Sequence, residues 1–261
     1  MSSSTLWACL TMSRSDRLLL IQFPEDIKNI VRAAIVRSWP KGIQKEKEKY
    51  GAYEFKLRGA PWAKFGVMVA DSVAVCFLMT NIFEPLYKTG WIVVNSNKLN
   101  ITFQYQATPP VPCEWLAISF DDLRHLRIMG KAGQELVPPF RDIIHGLGLW
   151  HSDRQLKTGS LVAHEFKLKG SPWDLRRGSG SVSTRVLVLK FMAVLAERGF
   201  TLYATVVPES WDEDDGDTAT DSWFCCRPIH RLPDSQVNHG YGLLATVERE
   251  PPHYDELSIR E

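Results

Sequence analysis

The chain lacks the patterns that most directly announce chemistry. No Cys-x-x-Cys occurs, the seven histidines form no metal motif, and no glycine-rich segment has the form of a phosphate cradle. No metal or cofactor is therefore expected. A charge imbalance is also missing: 31 Lys and Arg stand against 30 Asp and Glu, so no whole-molecule field draws the chain to nucleic acid or an anionic bilayer. A charge-driven partner would need a local patch. The five cysteines, at positions 9, 76, 113, 225 and 226, are odd in number and lack the spacing of a secreted disulfide framework. The N-terminus is a poor secretory signal, and a cytoplasmic or nuclear protein is expected. Long apolar runs are short of a bilayer's thickness. Val67 to Phe83 is at the lower limit and carries Asp71, Ser72 and Asn81, while its counterpart from Val182 to Gly199 carries Arg185, Lys190, Glu197 and Arg198. Both read as buried helices, with no transmembrane segment.

What the chain has is apolar substance and a repeat. A hydrophobic fraction of 44% and an aromatic fraction of 11%, with nine Trp, support a sizeable core. "EFKLRGAPW" begins at Glu54 and "EFKLKGSPW" at Glu165, and the match extends outward on both sides at an offset near 110 residues. Two tandem units are read, residues 4–107 and 113–230. A Pro-rich linker (108–112) joins them, and a tail (231–261) follows.

Each unit is legible in outline. "WLAISF" and "HLRIMG" are two strands joined by a polar turn, and "LWACLTM" and "RLLLI" are their first-copy counterparts. A helix follows, with Ile27, Ile30, Val31, Ala34 and Ile35 on one face in the first copy and Leu136, Phe140, Ile143, Ile144 and Leu147 in the second. "YEFKLRG" alternates Tyr53, Phe55 and Leu57 against Glu54, Lys56 and Arg58, the pattern of a strand with one buried face. Gly59 or Gly170 then permits a tight turn, Pro61 or Pro172 stops the strand, and Trp62 or Trp173 folds back over the core. A second helix is expected at 71–89 and 183–198, stopped by Gly90 and Gly199. It is apolar almost all round, and so is expected to lie between its own sheet and the other unit. With two closing strands, the expected fold is α+β: two tandem pseudo-symmetric ββαβαββ units packed together.

The tandem layout, with "SDRLLLI", "WPKGIQ", "EFKLRGAPW", "LYKTGW", "PPVPCEWLAISF" and "TDSWFCCR" in this order, resembles a group of uncharacterised animal proteins carrying the same duplicated unit over most of the chain. The resemblance implies the architecture and no activity, cofactor or catalytic residue. The second copy departs from it by reading "LWHSDRQL" where the first has "WPKGIQ".

Several constellations have residue types that could carry chemistry. Glu54 and Glu165 could meet as paired carboxylates, but a cross-strand charge pair is the ordinary state of such residues. Cys225 and Cys226 point to opposite faces of a strand, which disfavours joint metal or redox work. No spacing ties a cysteine to His164 or His230 as nucleophile and base. "RRGSGSVSTR" (Arg176 to Arg185) reads as a flexible connection before a phosphate site, and acid-rich "PESWDEDDGDTATD" (Pro208 to Asp221) as a surface loop that lacks the closing Glu of a calcium loop. "KGIQKEKEKYGAYEFKLR" reads as a solvated mixed-charge face and disfavours a nucleic-acid groove. The clearest docking pattern is in the tail, where Pro251, Pro252, His253 and Tyr254 fit P-P-x-Y, the ligand form of WW domains. The sequence thus points to a non-enzymatic scaffold or adaptor with a WW-domain partner. The alternative is an enzyme or small-ligand binder with its site between the units.

Overall fold

In the computed structural model the described residues are 5–62, 69–97, 100–121, 123–158, 161–173, 178–206 and 222–229. The first half runs β1 (Trp7–Ser13), β2 (Arg17–Ile21), α1 (Glu25–Ser38), β3 (Ile43–Lys49), β4 (Ala52–Leu57), α2 (Val69–Lys88), β5 (Trp91–Asn97) and β6 (Asn100–Tyr105). The second runs β7 (Cys113–Asp121), β8 (His125–Met129), a 3-10 turn (Ala132–Leu136), α3 (Val137–Gly146), β9 (Trp150–Thr158), β10 (Leu161–Leu168), α4 (Gly178–Glu197), β11 (Thr201–Val206) and β12 (Ser222–Pro228). Two six-stranded antiparallel sheets result. The first has the order β3-β4-β2-β1-β6-β5, and the second, read from β9, is β9-β10-β8-β7-β12-β11, the same order position for position.

The unit is therefore ββαββαββ, one strand longer than the sequence reading. The added strands are β3, inside the segment read as a solvated charged face, and β9. In β3 the run Lys45-Glu46-Lys47-Glu48-Lys49 alternates in sign with the pleat. Lys47 reaches Glu54 on one face (3.2 Å), while Glu46 and Glu48 take Arg32 (2.7 Å) and Lys28 (2.8 Å) of α1 on the other. A strand can carry no apolar alternation when charge pairs do the sorting, and a charged edge resists pairing with other chains.

The signature behaves as its residues dictate. Phe55, Leu57, Phe166 and Leu168 are buried, Gly59 and Gly170 turn at φ +79° and +69°, and Trp62 and Trp173 are buried. Their indole N–H groups donate to Arg17 O (2.9 Å) and His125 O (3.0 Å), which closes the loop onto the β1–β2 or β7–β8 turn.

The layers stack as sheet, helices, sheet, helices. Helices α1 and α2 cover one face of the first sheet, and α2 also lies against β7, β8 and β10 of the second. Helices α3 and α4 cover the far face of the second sheet. The core that starts in the first unit thus continues through Trp115, Ala117, Met129, Tyr203, Phe224 and Cys226. At one side the sheets touch, where Val93 N–H donates to the Tyr203 hydroxyl (3.0 Å) and Thr205 N–H to Ser96 Oγ (3.2 Å). This corrects the expectation that both apolar helices would be buried between the units: α2 is, whereas α4 keeps an exposed side bearing Val182, Val186, Leu189 and Met192. Contact between units is helix on sheet through α2, with strand against strand where β5 meets β11. Among the described residues no helix is long and apolar enough to cross a membrane.

Candidate functional site

Charge is gathered where the second sheet meets α2. In β10, Glu165 stands opposite Arg127 of β8 and Arg154 of β9. Arg127, only 1% exposed, donates from Nε to Glu165 Oε2 (2.7 Å) and from Nη1 to Asp121 and to Ser72 Oγ of α2 (3.2 Å). Arg154 Nε reaches the other Glu165 oxygen at 2.9 Å. Burial pushes the Glu165 pKa up, but the charge and hydrogen bonds of Arg127, with those of Arg154, outweigh it and hold the carboxyl below its ordinary range. Beside this cluster a cleft of about 270 Å³ is lined by His125, Ser152, Asp153, Arg154, Glu165 and Lys167. A carboxylate held ionised by two guanidiniums is a poor proton donor at neutral pH. It is well suited to fixing Arg127 under α2.

Glu54 does not join it. It lies on the first sheet's outward face, where Arg17 Nη1 (2.8 Å) and Lys47 Nζ hold it, and these cations overcome burial to lower its pKa. Each glutamate is therefore taken up by its own sheet. The expected cross-strand pairing holds for both, Glu54 with Lys47 and Glu165 with Arg127 and Arg154, whereas their expected place on a solvent face does not, since they are 6% and 3% exposed.

A second cluster gathers Tyr87 of α2 with Cys113, Trp115, Tyr203 and Cys226. Trp115 and Tyr203 rings meet edge-on at 4.9 Å, Tyr87 lies 5.5 Å from Trp115, and the Cys113 thiol donates to the Tyr87 hydroxyl at 3.5 Å. A hydrogen bond from Cys226 draws the Cys113 thiol down to about 7 against its burial, while Cys226, as donor and buried, is raised. Cys225 faces the opposite core, as period-two geometry requires, and burial lifts it to about 12. Burial likewise lifts Cys76 to about 11.

A third arrangement occurs in both units and was not legible as a motif. Arg32 of α1 binds Glu46 of β3, which also accepts from the Tyr53 hydroxyl of β4 (2.6 Å). Arg141 of α3 binds Asp153 of β9 (2.5 Å), which meets His164 Nε2 of β10 at 2.8 Å. Arginine hydrogen bonds hold both carboxyls below their ordinary range. In each unit the helix is hooked to the edge strand. The signal was the alternation of Lys and Glu in β3 and the single Asp in "HSDRQ".

Other nominated residues fall elsewhere. His145 stacks on Trp150 (4.7 Å between rings), and "RRGSGSVSTR" from Gly178 onward is the opening of α4, not a flexible connection. The acid-rich segment 208–221, His230 and the tail residues Pro251, Pro252 and Tyr254 lie outside the described residues. Among the described residues no group of three or more His, Cys, Asp or Glu is placed to hold a metal ion.

Compared with known proteins, the chain matches one domain-family model twice in tandem, over residues 6–107 and 114–226. No curated protein and no solved structure matches it.

Proposed function

The chain belongs to the family defined by that doubly matched domain, and on this premise we propose that it is an intracellular, non-enzymatic adaptor whose tail recruits a WW-domain protein. The observation that carries the reading is Pro251-Pro252-His253-Tyr254: consecutive prolines preset a polyproline helix, and Tyr254 falls three positions after Pro251 on the face a WW groove receives. The folded part supports it as a scaffold. Glu165, Glu54, Asp153 and Glu46 are engaged in pairs that join strand to strand or strand to helix. Five free thiols accord with a reducing compartment. The test is calorimetric titration of the full chain with a purified WW domain. Saturable binding that weakens more than about tenfold, or about 1.4 kcal/mol, in Tyr254→Ala is expected. Equal affinity of the two chains removes the tail from the function.

A second reading rests on the cleft on the second sheet, where Arg154, Lys167 and His125 stand with Ser152, Asp153 and Glu165, all residues of the second unit. Its chemistry suits a small anionic ligand. A carboxylate or phosphate compound that raises the melting temperature of the wild-type chain and not of Arg154→Ala would favour it, and a panel with no effect would end it.

A further inference from the structure

We propose that Cys113 is an oxidation site: a small hydroperoxide converts its thiol to a sulfenic acid, and Cys226 resolves that acid to a disulfide joining β7 to β12.

The fold brings the two thiols together from opposite ends of the second unit. In the β7–β12 ladder Cys226 stands opposite Trp115 and Cys113 opposite Pro228, so the two cysteines are diagonal neighbours on one face. That is the face α2 covers, and both residues belong to the core that runs between the units. Cys225, one position along, belongs to the opposite core and takes no part.

Proximity becomes reactivity through the proton. Cys226 donates a hydrogen bond to Cys113 and draws its thiol down to about 7, whereas burial lifts Cys76 to about 11 and Cys225 to about 12. Near neutral pH a large share of Cys113 is therefore thiolate, the form that attacks a peroxide. The Tyr87 hydroxyl, 3.5 Å from Cys113 Sγ, turns its O–H onto the sulfur once the proton has left. One sulfur is thus ready to attack while the other keeps its proton.

The chemistry balances. The Cys113 sulfur takes one peroxide oxygen, the O–O bond breaks, and the departing hydroxide leaves as water with the proton of the thiol. The Cys226 sulfur then displaces the sulfenic oxygen, which leaves as a second water with the Cys226 proton. Two thiols lose two electrons to one peroxide. The pair is 5% and 6% exposed, which keeps out a bulky disulfide reagent, but Cys113 opens β7 beside exposed Pro112, where a small oxidant can enter. Diagonal positions lie about 7–8 Å apart, longer than a relaxed disulfide spans, so the end of β7 must shift. Its hold is weak there, because Pro112 accepts from Ile229 N–H (2.9 Å) and has no N–H to return. A bridge drawn tight in this way is readily reduced, which makes the modification reversible.

The full chain at pH 7 is treated with hydrogen peroxide, its remaining thiols are alkylated, and its peptides are read by non-reducing mass spectrometry. A Cys113–Cys226 cross-linked peptide that dithiothreitol abolishes is expected, forming about tenfold faster at pH 8 than at pH 6 as the thiolate fraction rises. Cys225→Ser should keep the bridge. Cys226→Ser, whose hydroxyl still donates, should leave a sulfenic acid on Cys113 that dimedone captures. In urea, where the ladder no longer pairs them, cross-links should scatter over the five cysteines. Cys113 that stays reduced while half-buried Cys9 is oxidised overturns the proposal. So does a bridge through Cys225, or a Cys113–Cys226 peptide formed in equal yield with and without urea.

Discussion

Replacing Arg127 by Leu, the residue that the first unit carries at the equivalent place, Leu19, isolates the cost of the buried charge at the junction. The guanidinium is held by Glu165, Asp121 and Ser72, and its removal leaves Glu165, 3% exposed, with Arg154 as its cation. Breaking a buried pair from one side costs about 3–5 kcal/mol, and the surviving Arg154 contact places this case near the lower figure. At about 2–4 °C per kcal/mol for a chain of this size, the midpoint should fall by roughly 6–12 °C in a thermal melt at pH 7. Adding Glu165→Leu should recover much of the loss, because a pair replaced on both sides by apolar groups is close to neutral. The pH dependence has a definite sign. Glu165 is held below its ordinary range in the folded chain, so its contribution is present above the unfolded carboxyl value and is lost as pH falls through the folded one. The gap between wild type and Arg127→Leu should therefore narrow in acid. A midpoint lowered by less than about 2 °C, or a double variant that shows the two losses simply summed, would refute the reasoning.

Two further outcomes follow from the stacking. Gly90 and Gly199 stop equivalent helices at φ +89° and +77°, but a Cβ at Gly90 would stand 2.3 Å from Gln106 O, whereas at Gly199 it meets nothing within 4 Å. Gly199→Ala should cost about 1–2 kcal/mol of left-handed strain and Gly90→Ala at least twice as much in denaturant unfolding, and equal costs would contradict the close approach. A fragment of residues 5–107 leaves Cys76, Met79, Phe83 and Tyr87 without the second sheet, so it should bind a hydrophobic dye or aggregate until residues 108–261 are supplied in trans. A monodisperse, dye-free fragment with a cooperative melt would show that the first unit does not depend on the second.

Much of the unit was legible because it is local. Tyr53-Glu54-Phe55-Lys56-Leu57 states a strand by its alternation, Gly59 and Pro61 state its end, and Trp62 has one apolar place to go. The same holds for Cys225 and Cys226, whose opposite faces follow from the pleat alone. Strand β3 escaped because its alternation is in charge, and β9, "WHSDRQLKT", because it has no apolar alternation. Glu46 is recognisable as inward only once Arg32 is known to pass above it, and Arg32 lies 14 residues earlier on another element.

Sequence alone determined the duplication, the order of the apolar elements within each copy, and the positions where backbone had to turn, since each of these is written in residues a few places apart. Tertiary structure alone decided what covers what. An all-round apolar helix reports that its faces need shelter and says nothing of the surface that supplies it, so α2 and α4 read alike although one lies under a sheet and the other keeps a bare side. The same cause separates Glu54 from Glu165: identical words in the chain acquire different surroundings because the units stack in one direction, which gives the first unit's helix a neighbour and leaves the first sheet's outer face to its own lysines and arginines.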